Sequence, residues 1–575
     1  MKYLRFNLFS TLALLLTPLV AAAQVSNPCP RFAAGSTVKN PPALFSQNGT
    51  LTVNLSYNSE TDADGRTLYC FTTPTGTESP TLHVHPGDHL IVKVKNNLPA
   101  PTAASAMQMT TNAATTCGAS TMNASSVNIH YHGTNTSPTC HQDEVIHTII
   151  NSGDTFTYNV AFPTDEPPGL YWYHPHIHGI AEAAVLGGAS AAIVVDGIET
   201  IQPAVASLPQ RLLVIRDQNV AGNPTPGGPV PAWDLTLNYV PIAYPGLTPA
   251  VIKMAPNEKQ FWRVLNAAAD TILDLQVVYD GTPQKILLVA LDGVPVGSQD
   301  GTQQGKLISV THLRLPPASR MEFIVTGPSQ NVKSAQFLTQ AIDTGPNGDN
   351  DTRRTLATIT PVGNALASAA TVNAKVGKPW RQRFEGLATA PVTTKRALYF
   401  SENADQTQFF ITVDGQTPVV FSPDNPPAVV TTQGSVEDWT IQNRALENHE
   451  FHFHQIHFMV LSQDNFQVNG SQPVQALQGQ LMDMIEIPYW DGNPAHPFPS
   501  VTLRMDFRGP DIGDFVYHCH ILNHEDQGMM AIIRVLPGPA AKTHPANGKV
   551  SPAKAAKLEA GILKVASNPR ETSAK

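Results

Sequence analysis

Three segments of the chain read alike, and their spacing limits the folds that the chain can adopt. Each begins at a turn residue, runs through a strand of β-branched or aromatic residues, and closes on asparagine: Gly87–Asn96, Asn257–Asn266 and Gly434–Asn443. The segments begin 170 and then 177 residues apart. Repeats of this length are whole domains, because the units of a solenoid run only about 20 to 50 residues. We therefore expect three successive all-β sandwiches.

A second strand recurs in each repeat. It reads AAIVVDG from Ala191, MEFIVTGP from Met321 and MAIIRVLPGP from Met530. The 49 prolines and 39 glycines are typical of many strands joined by turns rather than of long helices. Linker-like sequences lie near 200 and 375. The expected domains are therefore 24–200, 201–375 and 376–540.

The two ends of the chain have compositions of their own. Lys2 and Arg5 precede the apolar run LFSTLALLLTPLV, and three alanines then lead to Gln24. This is the pattern of a secretory signal peptide over 1–23, so we expect export, periplasmic or secreted, and no membrane anchor. The segment 541–575 is rich in lysine, alanine and proline and predicts a flexible, solvated tail.

The charge of the chain excludes one class of partner. Its 36 basic and 45 acidic residues give a formal net charge of −9, and charged residues make up only 14% of the chain. A nucleic-acid partner is therefore not expected. With 42% hydrophobic residues the chain can bury large cores, and we expect a folded monomer.

Half of the 20 histidines are concentrated in four short clusters. The clusters are His130–His132, His174–His176, His449–His454 and His518–His524. One H-x-H pair can arise by chance, but four in one chain predict metal ligation. Successive side chains of a strand point to opposite faces, so each pair puts two imidazoles on one face, about 7 Å apart, where they can serve neighbouring metal ions.

The fourth cluster predicts a second kind of metal site. Cys519 lies inside an H-C-H sequence and therefore points to the opposite face of its strand. His449 has odd parity to the pair that follows it, and His524 lies beyond the strand. These three form a His₂Cys set, to which Met529 can add the weak axial ligand of a blue-copper centre. A structural zinc site would be a closed set of four ligands, usually with paired cysteines, and fits less well.

Cys519 is also the odd one among five cysteines. The other four, Cys29, Cys70, Cys117 and Cys140, lie in the first expected domain. An exported chain can join them in two disulfides with any of three connectivities. Proximity in sequence favours Cys117 with Cys140.

With these motifs the chain resembles the three-domain multicopper oxidases, which include laccases, bilirubin oxidases and bacterial copper-efflux oxidases. The resemblance spans all three expected domains and has all four copper motifs in order. It implies three consecutive cupredoxin-like Greek-key sandwiches and four copper ions, with the middle domain walling the substrate cleft. The implied ligands are His130 and His452 for type 2 copper; His132, His174 and His520 for one type 3 copper; His176, His454 and His518 for the other; and His449, Cys519, His524 and Met529 for type 1 copper.

The resemblance also implies residues that move protons and electrons. Asp143, eleven residues after His132, and Glu525, directly after His524, match acids near the copper cluster. Reduction of dioxygen to water consumes protons, which such acids can supply. Their alternative role is that of exposed surface acids. His449 or His524 would accept the electron from the substrate.

Five further histidines are not expected to bind copper. His178 and His457 follow ligand pairs at even parity, yet the family uses neither as a ligand, so we expect packing or hydrogen bonding. For His83, His85 and His89 we expect a structural or surface role.

The sequence indicates less about the reducing substrate. We expect laccase-like oxidation of phenols and aromatic amines coupled to reduction of dioxygen. Oxidation of cuprous, ferrous or manganous ions is the alternative, and it would need acids near the type 1 histidines. Glu447, Glu450 and Asp483 are candidates, but we expect ordinary surface acids there. A noncatalytic copper-binding protein of the same fold is the third interpretation, disfavoured because all ten histidines and the cysteine are present.

Overall fold

The computed structural model describes most of the chain, over residues 27–101, 109–110, 116–297, 306–363, 383–469 and 475–538. The expected signal peptide, the C-terminal tail and the expected boundary at 375 lie outside these residues. Within them the chain consists of strands, loops and a few short helices, so the all-β prediction is confirmed. None of the helices in this described part is long and apolar enough to cross a membrane.

The first third of the chain forms two main sheets. Its elements are β1 (Ala43–Phe45), β2 (Thr50–Thr61), β3 (Thr67–Thr72), β4 (Thr81–Val84), β5 (His89–Asn96), β6 (Met109–Thr110), β7 (Cys117–Gly118), β8 (Thr121–Met122), β9 (His130–His132), β10 (Thr148–Ile149), β11 (Thr155–Ala161), β12 (Gly169–His174), α1 (Ala181–Leu186), β13 (Ala191–Val195) and α2 (Ile198–Ile201). The sheet orders are β1-β4-β13-β12-β9 and β11-β5-β2-β3, with two small pairs, β7 with β10 and β6 with β8.

The middle third forms two larger sheets. Its strands are β14 (Gln210–Asn219), β15 (Trp233–Leu237), β16 (Val240–Ile242), β17 (Ala250–Met254), β18 (Lys259–Asn266), β19 (Leu273–Tyr279), β20 (Thr282–Pro283), β21 (Ile286–Leu291), β22 (Val294–Pro295), β23 (Ile308–Val310), β24 (Leu313–Leu315), β25 (Arg320–Thr326), β26 (Ala335–Thr339) and β27 (Arg354–Pro361). One sheet has the order β16-β15-β14-β18-β25-β21-β22, with β23 on β21, and the other β17-β27-β26-β19-β20, with β24 on β19.

The last third again forms two sheets. Its elements are β28 (Thr394–Glu402), β29 (Phe409–Val413), β30 (Val429–Thr432), β31 (Val436–Asn443), β32 (His449–Phe453), β33 (Phe458–Asp464), β34 (Leu481–Met482), β35 (Met484–Ile487), β36 (Ser500–Asp506), β37 (Gly513–Cys519), α3 (Leu522–Asp526) and β38 (Met530–Leu536). The sheet orders are β29-β28-β31-β36-β33-β34 and β30-β38-β37-β32-β35. The chain thus has three successive pairs of sheets.

The three repeated segments form equivalent strands, β5, β18 and β31. Each has a parallel neighbour on one side (β2, β14, β28) and an antiparallel neighbour on the other (β11, β25, β36). The closing asparagines Asn96, Asn266 and Asn443 are all fully buried. Each amide donates hydrogen bonds to two backbone carbonyls, at least one of them more than 40 residues away, and its oxygen accepts the N–H two residues on. The recurrent asparagine therefore ties the end of each central strand to the loops around it.

The second recurrent strand is not the same strand in the middle third, so the expected equivalence of the Met321 sequence is wrong. β13 and β38, which hold the Ala191 and Met530 sequences, each have a parallel partner from earlier in their own third, β4 and β30. In the middle third that position belongs to β27, parallel to β17. The Met321 sequence is β25, which instead corresponds to β11 and β36. The error arose because buried strands have similar apolar sequences whichever sheet they join.

The side chains of the outer strand β2 alternate between the core and the solvent. In β2 the side chains of Leu51, Val53, Leu55 and Tyr57 are buried, and the residues between them are exposed or half buried. One face of this strand therefore packs on the core and the other lies near solvent.

Strand β12 is buried on both faces. Tyr171 and Tyr173 pack into the core of the first third. Leu170 and Trp172 pack on the other side, in a cluster that includes Met484 of the last third. This second cluster packs the first third mainly on residues of the middle third and also on Met484 of the last, and β12 ends there in a histidine.

Two disulfides lie in the first third, as expected. They join Cys29 to Cys70 and Cys117 to Cys140, which confirms the favoured pairing. Cys519 is free and buried.

Candidate metal centre

The histidine-bearing strands are neighbours within two sheets. In the first third β9 pairs with β12, which sets His130 opposite His174. In the last third β32 pairs with β37, which sets His452 opposite His518. The two sheets meet at these strands, where the rings of His130 and His454 are stacked with centroids 3.9 Å apart.

Eight buried imidazoles converge at this junction and form what we call the histidine cluster. Within each group of three, the nearest donor atoms all lie within 4.8 Å of one another. The groups are His130, His132 and His452; His132, His174 and His520; and His176, His454 and His518. The second and third groups contain the residues that the resemblance implied for the two type 3 coppers, and the first contains the implied type 2 pair, His130 and His452, together with His132. The two rings of each H-x-H pair are closer than the strand repeat of about 7 Å, at 5.3 Å for His130 and His132, because they converge on one centre.

Hydrogen bonds to Nδ1 orient several of these rings. His130 Nδ1 lies 3.0 Å from Asp143 Oδ1, His174 Nδ1 2.9 Å from the Pro175 carbonyl, and His452 Nδ1 2.8 Å from the Asp483 carbonyl. Their Nε2 atoms are buried and have no hydrogen-bond partner. A ligand histidine typically has one nitrogen held in this way while the other binds the metal.

The environment keeps these imidazoles neutral. Burial, and then the like charge of neighbouring imidazoles, lowers the pKa of His130, His452 and His454 well below the usual value. The neutral ring is the form that binds a metal ion. Buried Nε2 atoms without protein hydrogen-bond partners, in a cluster of neutral imidazoles, therefore fit copper ions.

A second donor set lies on the other face of β37. His449 Nδ1 and His524 Nδ1 are 3.1 Å apart, and each is 3.7 Å from Cys519 Sγ. In the plane of these three atoms, the point equally far from all of them lies about 2.0 Å from each. This distance is close to the length of a metal–imidazole bond. Burial raises the pKa of Cys519, so a bound metal ion is what would hold it as a thiolate. Met529 is fully buried in the same hydrophobic cluster as Cys519, and its carbonyl accepts the Cys519 N–H.

Asp143 is buried beside the histidine cluster. Its Oδ1 accepts hydrogen bonds from His130 Nδ1 and from the Tyr131 N–H, and its Oδ2 accepts one from Gln455 Nε2. Burial raises its pKa well above the usual value. The surface-acid alternative for Asp143 is therefore wrong. Gln455, which sequence reasoning missed, has no recognisable motif.

Glu525 is also buried against the cluster. One carboxylate oxygen lies 3.1 Å from His518 Nδ1, and the other lies 3.6 Å from His176 Nδ1. Burial raises its pKa, the neighbouring imidazoles lower it, and the net shift is downward. Glu525 is therefore an ionised, buried carboxylate close to these two rings and not a surface acid.

The three acids expected at the surface are all buried. Glu450 is fully buried and neither carboxylate oxygen has a hydrogen-bond partner. Asp483 is fully buried between Arg320 and the histidine cluster. Glu447 is 5% exposed and lines a cavity. The expectation of ordinary surface acids is wrong because Glu450 lies within β32, Glu447 lies just before it, and Asp483 lies just before its partner strand β35.

The five histidines that were not expected to bind copper have other partners. His457 Nε2 donates to the Asp292 carbonyl, and the ring of His178 packs edge-on against Phe421. Near the surface, three others have polar partners: His83 with Asp196, His85 with Asp88, and His89 with Asn159. That these five do not bind copper stays a prediction.

A cavity of about 230 Å³ adjoins the cysteine-containing set. His524 forms part of its wall, whereas His449 does not. Four carboxylates also line it: Asp270, Asp349, Asp351 and Glu447. Sequence reasoning missed the three aspartates, because they come from loops of the middle sheets and have no motif of their own.

The carboxylates of this cavity repel one another. Asp270 Oδ2, Asp351 Oδ1 and Glu447 Oε1 are buried without a hydrogen-bond partner. Burial, and then neighbouring carboxylates, raises the pKa of Asp270 and Asp351 well above the usual value. No lysine or arginine is among the residues that line the cavity.

Known proteins resemble the chain in both sequence and structure. Two family models, each described as multicopper oxidase, match residues 107–198 and 390–539. A laccase of Bacillus subtilis strain 168 is 23% identical over 395 residues, which cover 64% of this chain and 71% of that protein. The multicopper oxidase LPR1 homolog 3 of Oryza sativa subsp. japonica is 22% identical over 463 residues, 67% of this chain and 80% of that protein.

Solved structures of multicopper oxidases share the fold. A metallo-oxidase of Campylobacter jejuni superposes with a TM-score of 0.64 at 23% identity, over 88% of this chain and 96% of that one. The enzyme McoA of Aquifex aeolicus superposes with a TM-score of 0.63 at 17% identity, over 88% of this chain and all of that one.

The sheets are those of cupredoxin-like sandwiches, and the two kinds of donor set fit copper ions. The two matched segments, the curated relatives and the shared fold together support the multicopper oxidases as the family of this chain. Proteins of that family use copper ions, dioxygen and a reduced substrate.

Proposed function

We propose that the chain is a laccase-like oxidase that removes single electrons from a phenol or an aromatic amine and uses four of them to reduce dioxygen to two molecules of water. The observation that supports it best is the cavity against His524. At about 230 Å³ it has room for a small molecule. His524 is the member of the Cys519 set that reaches this cavity, so it is the proposed acceptor of the electron. Export of a monomer is part of the same proposal.

The proposed reaction uses two sites, the Cys519 set and the histidine cluster. When bound, one copper ion at the Cys519 set would accept electrons singly, and three at the histidine cluster would reduce dioxygen. Cys519 is bonded through the backbone to His518 and His520, so a few covalent bonds connect the two donor sets. Both sets are buried, which excludes bulk water from them.

Glu525 and Asp143 are the proposed proton carriers. Each lies within hydrogen-bond reach of a cluster histidine, Glu525 of His518 and Asp143 of His130. Acids placed so close to the reacting centre can pass protons to the oxygen that is reduced there.

Oxidation of a reduced metal cation is the second candidate, and the cavity lining favours it. Four carboxylates, three of them with an unpartnered buried oxygen, surround a space that adjoins His524. A unit positive charge about 4 Å from an ionised carboxylate gains about 4 kcal/mol at an effective dielectric constant of about 20. The same carboxylates would favour a cationic amine over an anionic phenol.

Paired aspartate substitutions distinguish the two candidates. Asp349→Asn together with Asp351→Asn keeps an oxygen to accept the bonds from Trp233 Nε1 and the Ile272 N–H. We expect kcat/KM for a cuprous or ferrous ion to fall roughly tenfold or more, and kcat/KM for a neutral substituted phenol to change much less. Oxygen consumption with each substrate measures both.

The control removes the same charge elsewhere. Asp64→Asn with Asp414→Asn alters two half-exposed carboxylates outside the cavity and should change neither substrate. Turnover of the phenol alone supports the laccase-like proposal. Turnover of the metal ion that only the cavity variant weakens supports the second candidate. Absence of oxygen consumption with either class contradicts both.

A further inference from the structure

Arg320 begins strand β25 of the middle sheets, yet its guanidinium lies against the histidine cluster. The side chain is fully buried. Its Nη1 and Nη2 donate to the two oxygens of Asp483 at 2.7 and 2.5 Å, and its Nε donates to the Leu170 carbonyl at 3.1 Å. Asp292 lies 3.7 Å from Nη1. A planar guanidinium held on both edges has one orientation, so it fixes the carboxylate of Asp483.

Asp483 in turn contacts two histidines of the cluster. Its Oδ1 lies 3.4 Å from His132 Nε2, and its backbone carbonyl lies 2.8 Å from His452 Nδ1. The rings of these histidines are stacked with centroids 3.9 Å apart. One residue from the loop before β35 therefore touches a histidine of the first third and one of the last third.

His132 is turned the opposite way to its neighbours. His130 and His452 have Nδ1 held by the protein and Nε2 unpartnered. In His132 both ring nitrogens are buried without a hydrogen-bond partner, but Nε2 is the one that faces Asp483 Oδ1, at 3.4 Å. The carboxylate thus lies beside Nε2 and leaves Nδ1 as the nitrogen turned away from it, free to bind a metal ion.

Gly133 lies against the Arg320–Asp483 ion pair and leaves no room for a side chain. The residue has a φ of +82°, which favours glycine. A Cβ at this position would overlap Arg320 Nη2 and Asp483 Oδ2. The close approach of the ion pair therefore explains why a glycine follows the H-Y-H sequence.

We propose that Arg320 and Asp483 are positioning residues for the copper-binding cluster: the ion pair orients His132 to bind through Nδ1 and His452 to bind through Nε2. Through Arg320 the middle sheets, which carry no cluster histidine, set the geometry of the site between the first and last thirds. The inference rests on the proposed function, because it requires that the histidine cluster holds copper.

The test substitutes the carboxylate and counts copper. Asp483→Asn retains the size of the side chain and the backbone carbonyl that holds His452 Nδ1. We expect copper affinity of the histidine cluster to fall roughly 10- to 100-fold, as is typical when a partner of a ligand histidine is lost. The blue absorption of the Cys519 site should be retained. Copper bound per chain at buffered free copper and the electron paramagnetic resonance of the cluster coppers measure the effect.

Glu322→Gln is the matched control. Glu322 forms a buried ion pair with Arg263 in the same middle sheets and contacts no histidine. We expect it to lower the unfolding temperature, as Asp483→Asn does, but to leave copper content and spectrum as in the wild type. Arg320→Lys, which keeps the charge and loses the two-point contact, should give an intermediate copper loss and serves as the second variant if Asp483→Asn does not fold.

Two results would overturn the inference. One is wild-type copper affinity and spectrum in Asp483→Asn or, if that variant does not fold, in Arg320→Lys. The other is an equal loss of copper in Glu322→Gln. A wild-type protein that binds no copper at the histidine cluster would instead contradict the proposed function itself.

Discussion

Replacing Cys519 with serine should abolish the blue colour of the copper-loaded protein and nearly all of its substrate-driven oxygen consumption. The hydroxyl oxygen is a harder and weaker ligand than a thiolate, and the absorption at about 600 nm of a blue-copper site depends on the copper–thiolate bond. Activity should fall by more than the roughly 10- to 100-fold that loss of an outer hydrogen-bond partner causes. Visible absorption and an oxygen electrode measure both effects.

The copper count provides the control for Cys519→Ser. Because Cys519 points away from the histidine cluster, the variant should lose one copper ion per chain and keep those bound by the eight imidazoles. A blue band that persists in the serine variant would show that Cys519 is not the thiolate ligand.

Replacing His452 with glutamine should keep the blue colour that Cys519→Ser loses and should instead impair the reaction with dioxygen. His452 belongs to the histidine cluster and lies on the other face from the Cys519 set. We expect the protein to stay blue and the phenol to bleach it, since electrons still arrive at His524. Reoxidation by air should become at least a hundredfold slower, more than the loss of an outer partner to a ligand would cause. Stopped-flow absorption during anaerobic reduction and subsequent mixing with oxygen measures the two half-reactions.

His178→Gln is the matched control for His452→Gln. His178 also follows an H-x-H pair at even spacing, but it is in neither the histidine cluster nor the Cys519 set, and its ring packs against Phe421. Its substitution should leave both half-reactions close to wild type. Rapid reoxidation of His452→Gln would contradict the assignment of oxygen reduction to the histidine cluster.

The parts of this protein that could be predicted from sequence are those set by local spacing. The parity of Cys519 within H-C-H places it on the other face from its neighbours, and the backbone enforces that result whatever surrounds the strand. The repeated strands were predictable for the same reason, since each carries its own turn and asparagine.

The parts that could not be predicted depend on residues distant in sequence. Arg320 and Asp483 are 163 residues apart, and each is an ordinary charged residue until folding brings them together. The carboxylates of the cavity likewise come from loops of the middle sheets that carry no motif. For the same reason the sequence did not predict that Glu447, Glu450 and Asp483 are buried rather than exposed at the surface.

The central claim is that single electrons received beside His524 are combined in fours at the histidine cluster. The most direct test is the ratio of substrate oxidised to dioxygen consumed, measured with a phenol that gives up one electron. Four molecules of phenol oxidised per dioxygen, with no hydrogen peroxide released, is the predicted result. Two molecules of phenol per dioxygen with release of hydrogen peroxide would contradict it.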